Sequence, residues 1–238
     1  MLPIICLTID IINKRKFLIK ERGKNMSLYL GKIHYWLFNK ILWFKDLEIE
    51  FEKLGKLKGI NTEELLKEVT KNYGERVLDK PLEEIIDTSN IHGWLDSKIK
   101  ISEGRLAEII SVLKKNEVSD EEIKSVFKDQ GRKAAIKDLE KRSLETAEEI
   151  FNGLNDYILD GMPCDRVNEV LEASEDKVLW KRRVCVHKEM WTKENLDSKY
   201  FYEIRNEFIK EFVTIVNPSF KYDILENDEM IIEKIIES

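Results

Sequence analysis

The spacing of apolar residues first turns from helical to alternating at Gly161-Met162-Pro163. Before that point apolar side chains recur three and four residues apart, the period of a helix with one buried face. After it they alternate, the period of a strand with one buried face. The pattern predicts an α+β fold, with a helical N-terminal part followed by a small antiparallel β-sheet and one packed helix. The helical region is expected over residues 26–161 and the hairpins plus helix over 162–238. The two can fold as one continuous domain.

Residues 27–54 carry Ile33, Leu37, Ile41 and Phe44 at helical spacing, with Tyr35, Trp36, Phe38, Leu42 and Trp43 filling the other sides. A helix apolar nearly all round belongs in a core or at a subunit contact, so a homodimer is an expected partner arrangement. Asn61 and Ser119 each precede a helical run and have Glu three positions later, the capping-box spacing. Gly74 and Gly131 stand where C-caps would fall. Further helices are expected over 102–115, 134–159 and 197–216, the last closed by Asn217-Pro218. Strands are expected at 164–172 and 177–188 around the turn Ser174-Glu175-Asp176. A second hairpin is expected at 219–226 and 229–236, turned at Asn227-Asp228.

Composition narrows the function classes. The chain is 42% apolar and 36% charged, with net charge −6 and both signs interspersed. No one-sided basic field is available for nucleic acid. No apolar run of about 18 residues exists, so no membrane span is expected. Three cysteines among 238 residues make no disulfide framework and point to a reducing, cytoplasmic setting. Phosphate-binding loops, dinucleotide glycine patterns, the G-x-S-x-G elbow and H-E-x-x-H are missing.

Residues 1–25 read as an extension outside the fold. Their short apolar stretch precedes the basic run Lys14-Arg15-Lys16, the reverse of a signal peptide. Lys20-Glu21-Arg22-Gly23-Lys24 can be encoded by an unbroken purine run, as a ribosome-binding site before Met26 would be. Translation is expected to start at Met26, with a native N-terminal strand or helix as the competing reading. Cys6 falls in this stretch and receives no role.

The best chemical lead is on the first hairpin. If Val167 and Leu171 face the core beside Val178, Trp180, Val184 and Val186, the turn must hold two or four residues. That register sets Cys164 opposite Cys185 or His187, all on the more polar face. Two thiolates and an imidazole suit Zn or Fe, with a fourth ligand from His34, His92, Asp165 or Glu189. Without metal, Lys181 and Arg183 would favour a thiolate nucleophile. Ordinary packing of buried cysteine is the competing reading.

Each histidine is followed closely by a tryptophan, which suggests polar groups set in aromatic walls. Trp36, Trp94, Trp191 and Arg183 are therefore candidate ligand-binding residues. The sequence supports two functional expectations. One is a metal- or thiol-dependent enzyme acting on a small molecule. The other is a non-enzymatic ligand-binding or interaction module built on the aromatic helix.

Overall fold

The structure is a computed structural model that describes residues 30–226 and 231–237. The expected extension over residues 1–25, with Cys6, and the turn at Asn227-Asp228 lie outside the described residues.

Eight α-helices and a four-stranded antiparallel sheet make up the described chain, as the change of period at Pro163 requires. Helix α1 (Lys32–Leu57) runs through the centre of the helical part. Leu37, Ile41, Phe44, Leu47 and Phe51 are buried along one stripe, each worth ~1.5–3 kcal/mol against exposure. Its other aromatic residues are engaged by the same chain. Trp43 meets Tyr157 edge-on at 5.0 Å, and Trp36 Nε1 donates to Asp156 at 2.8 Å. The aromatic wealth of this helix is therefore explained by its central place, without a second copy.

Helix α2 (Thr62–Tyr73) starts at the Asn61 cap and stops at Gly74, as expected. A single turn α3 (Leu82–Ile85) follows. Helix α4 (Ile91–Lys115) begins eleven residues earlier than its apolar period suggests, because Asn90 caps it by accepting from the Gly93 N–H. Helix α5 (Asp120–Leu139) is capped by Ser119 and Glu122 but runs straight through Gly131. Gly131 is no cap: a Cβ there would sit 2.4 Å from the Phe208 carbonyl oxygen. Glycine allows α5 to lie directly on the backbone of α8 (Ser198–Val216), the most extensive helix pair in the molecule. The predicted helix over 134–159 is divided instead. It breaks after Leu139, and Thr146 caps a new, short α6 (Ala147–Leu154).

The sheet comprises β1 (Asn168–Ala173), β2 (Lys177–Arg182), β3 (Phe220–Glu226) and β4 (Ile231–Glu237), in the order β1-β2-β4-β3. Val178, Trp180, Phe220, Tyr222 and Ile235 are buried on the face covered by α6 and α8.

The first hairpin departs from expectation at one residue. At the turn, Ala173 pairs with Val178 and Glu172 with Leu179, the register of a four-residue turn. The next pairs are Val170 with Trp180, Glu169 with Lys181 and Asn168 with Arg182, so Leu171 is a bulge. The extra residue shifts the pairing of Asn168, Glu169 and Val170 by one and reverses their faces, while Val167, ahead of the strand, is buried as expected. Leu171, expected inside, is 42% exposed, and Val184 is 45% exposed. Strand β2 ends at Arg182, and residues beyond it leave the sheet for a short helix α7 (Lys188–Lys193).

Candidate functional site

His187 immediately precedes α7 and is buried, 2% exposed. Both of its ring nitrogens face carboxylates. Nδ1 lies 2.6 Å from Glu103 on α4, and Nε2 lies 3.0 Å from Asp160 on the segment after α6. Burial alone would suppress its charge, yet Glu103 and Asp160 outweigh burial and push its pKa up to about 9. An imidazole with two carboxylate neighbours is an imidazolium at neutral pH, donating from both nitrogens.

The ion pairs continue inward. Arg205 on α8 donates to Asp160 at 2.7 Å and reaches Glu233 on β4 at 3.4 Å. Arg182, the last residue of β2, also donates to Glu233. Tyr222 donates to the other Glu233 oxygen at 2.9 Å, and Asn168 to Asp160 at 2.9 Å. Three carboxylates (Glu103, Asp160, Glu233) thus balance three cations (His187, Arg182, Arg205). Arg205 holds the Asp160 carboxyl far below its ordinary value against the effect of burial. The nearby Lys40 is also buried. Desolvation brings its amine down to about 8, partly offset by Asp160 and Asp156.

Cys185 links this network to solvent. It is half-buried, two residues before His187, and lines an open cleft of about 720 Å³. Glu103, Lys100, Asp165, Met190 and Lys193 line the same cleft. Tyr202 donates its hydroxyl hydrogen to the Cys185 sulfur at 3.3 Å. Burial would raise the thiol pKa. Hydrogen bonds from Tyr202, the His187 backbone N–H and Ser198, with the charge on His187, bring it below the ordinary thiol value. The Tyr202 ring is itself faced by two cations, Arg182 at 3.3 Å and Arg205 at 4.8 Å from its centre.

The expected five-residue metal set does not assemble. Cys164 is exposed in a 3₁₀ turn, Pro163–Asp165, that lies ahead of β1, and β2 ends before Cys185, so no strand pairing sets the two opposite each other. With two carboxylates on its ring, His187 has no nitrogen lone pair for a metal. His34 and His92 do converge, but on each other, at 3.2 Å between Nε2 atoms. Among the described residues no three His, Cys, Asp or Glu side chains are grouped to hold a metal ion.

Of the expected ligand-binding residues, Trp191 is wholly buried and donates to Glu103 at 3.2 Å. It supports the site from within the core rather than forming a pocket wall. Trp36 is held by Asp156 with Lys40 over its ring at 4.0 Å. Trp94 packs on Phe38, and Arg183 is exposed near Glu169. None of the four lines the cleft.

Sequence reasoning missed Glu103, Asp160, Arg205, Glu233 and Tyr202. A signal was present for two of them. Arg205 falls within the stripe Phe201, Ile204, Phe208 and Phe212, and Glu103 falls between Ile99 and Leu106. A charge inside an apolar stripe must be buried with a partner or break the stripe.

No helix among the described residues is long and apolar enough to cross a membrane. Comparison with protein-family models, with curated proteins and with solved structures gave no match, so the chemistry of the site carries the argument.

Proposed function

We propose that this protein is a thiol-dependent enzyme acting on a small electrophilic molecule held in the cleft beside α7, with Cys185 as the nucleophile. The observation that carries this reading is the position of the Cys185 sulfur. The residue lines a cleft of small-molecule size, and its sulfur accepts a hydrogen bond from Tyr202. The thiolate, not the thiol, attacks electrophiles. Here the thiol proton leaves to solvent through the cleft, and the sulfur anion then adds to the electrophilic carbon of a carbonyl or conjugated alkene; the S–C bond forms as the π bond breaks, and the oxygen or carbon that receives its electron pair takes a proton from solvent. Tyr202 donates to the anion as it forms. His187 contributes charge without taking the proton, because Glu103 and Asp160 already occupy its ring nitrogens. It is a positioning and electrostatic residue, and Cys185 is the catalytic one.

This reading replaces the zinc or iron centre expected on the hairpin, for which Cys164 and His187 are not placed as donors. The interaction-module alternative draws less support, since Trp36 and Trp43 are engaged within the chain.

The test is the rate of Cys185 alkylation by iodoacetamide across pH, followed by mass spectrometry of its peptide. A rate whose midpoint lies below that of free glutathione, and moves up in Tyr202→Phe, is expected. A Cys185 that reacts no faster than glutathione at every pH would overturn the proposal.

A further inference from the structure

A second cluster of chemistry-bearing side chains lies outside the cleft. His34 stands in the first turn of α1 and His92 in the first turn of α4. Their Nε2 atoms are 3.2 Å apart and their ring centres 5.4 Å apart. His92 is exposed and His34 half-buried, so solvent ions reach both. Each helix is fixed just behind its histidine by buried residues: Leu37 and Phe38 on α1, Ile91 and Leu95 on α4. The two imidazoles therefore face each other on rigid supports.

We infer that His34 and His92 form a two-ligand surface site for a first-row transition-metal dication such as Zn²⁺, Ni²⁺ or Cu²⁺, separate from the thiol cleft. The separation carries the argument. Metal–imidazole bonds are about 2.0–2.1 Å long, so two nitrogens on one ion at right or tetrahedral angles stand about 2.9–3.4 Å apart. The observed Nε2–Nε2 distance falls inside that span, and an ion enters with little motion of either helix. Imidazole nitrogen suits these metals, whereas magnesium and calcium prefer oxygen. Among the described residues no third His, Cys, Asp or Glu completes the pair, so water fills the remaining positions.

Two features weaken the affinity. His34 Nδ1 accepts the Gly31 N–H at 3.0 Å, so the ring carries its proton on Nε2 and donates it to His92. Metal on Nε2 moves that proton to Nδ1 and releases Gly31, at the expense of one hydrogen bond at a helix start. Both rings also lie near helix N-termini, whose field opposes a cation. In the other direction, burial and the facing His92 lower the proton affinity of His34 and keep it in the neutral, ligand form.

The chain has three histidines, which makes the test direct. The untagged native protein is titrated with zinc chloride while the side-chain ¹⁵N resonances of His34, His92 and His187 are followed. His34 and His92 should shift together and saturate near one equivalent, with His187 unmoved. His92→Gln, which retains a hydrogen-bonding group, should weaken binding at least tenfold. Shifts appearing only at millimolar zinc would overturn the inference. So would unchanged affinity in His92→Gln, or zinc that perturbs His187 instead. The readout does not involve Cys185 reactivity, so this site and the thiol proposal fail or stand separately.

Discussion

Two of the buried charge networks among the described residues differ in finish. In the helical half, Glu48 on α1 accepts from Arg105 on α4 at 2.6 and 3.0 Å and from Arg76 at 2.8 Å. Arg105 continues to Thr70 and the Gly74 carbonyl, tying α1, α2 and α4 together. No side-chain atom of Glu48 or Arg105 is among the buried atoms left without a partner. The network around His187 joins α4, α7, α8, β2 and β4, yet Arg182 Nε, Arg205 Nε and Asn168 Oδ1 are buried without a protein partner. It also contains His187, whose pKa is raised to about 9, and a cysteine connects it to a cleft. The first network is closed, with Glu48 and Arg105 paired to each other in the core. The second is open at one side and its charge can change. Closed pairing is what a structural staple needs; an open, titratable network is where perturbed proton affinities serve chemistry.

Removing one partner from the closed network should have the largest effect. Glu48→Ala strands Arg105 in the core and should lower stability by about 3–5 kcal/mol in urea unfolding, as breaking a buried pair does. Cys185 alkylation in the folded protein should be unchanged. A parallel loss of thiol reactivity would mean that the two networks are one.

His187→Gln should cost somewhat less, about 1–3 kcal/mol, because an amide retains part of the hydrogen bonding. Here thiol reactivity should fall as well. Equal reactivity in this variant would remove the distinction between staple and site.

The pH dependence sharpens the same contrast. The His187 pKa is raised to about 9 from its ordinary value of 6.5. The folded state therefore binds its proton more tightly than the unfolded state. The stability contributed by His187 is complete below pH 6.5 and is lost as pH rises toward 9. Urea midpoints measured from pH 6 to pH 9.5 should fall in the native chain and flatten in His187→Gln. A flat native profile would show that the imidazole is not charged.

The smallest effect on stability should come from Tyr202→Phe, below about 1 kcal/mol, since sulfur is a weak acceptor. The Cys185 thiol pKa should nonetheless rise, because burial already pushes it up and the Tyr202 hydrogen bond that opposes burial is lost. A large stability loss with no change in the thiol would place Tyr202 in the staple class.

The helical period, the caps at Asn61 and Ser119, and the α8 stripe were all legible because they depend on neighbours within one or two turns. Gly131 was misread because its role depends on Phe208, far along the chain. Cys185 and His187 stood out as rare residue types, but their relation to Cys164 hung on where the two strands end, and neither strand reaches these residues. Glu233 looked like an ordinary charge in an alternating strand. Alternation does place it on the same face as the buried Ile235, but what makes its burial tolerable are Arg182, Arg205 and Tyr222, none adjacent in sequence.

The bulge at Leu171 also bears on how chain length can vary. Strand β1 holds one residue more than its ladder needs and pairs with β2 alone. A single deletion within β1 can be absorbed by closing the bulge, leaving Asn168 opposite Arg182. Strand β2 has no such slack. It is paired on one side with β1 and on the other with β4, where Val178 meets Ile235 and Trp180 meets Glu233. A deletion there would slide two ladders at once and separate Glu233 from Arg182. Length changes in related chains should therefore collect before the turn at 174–176 and be rare after it.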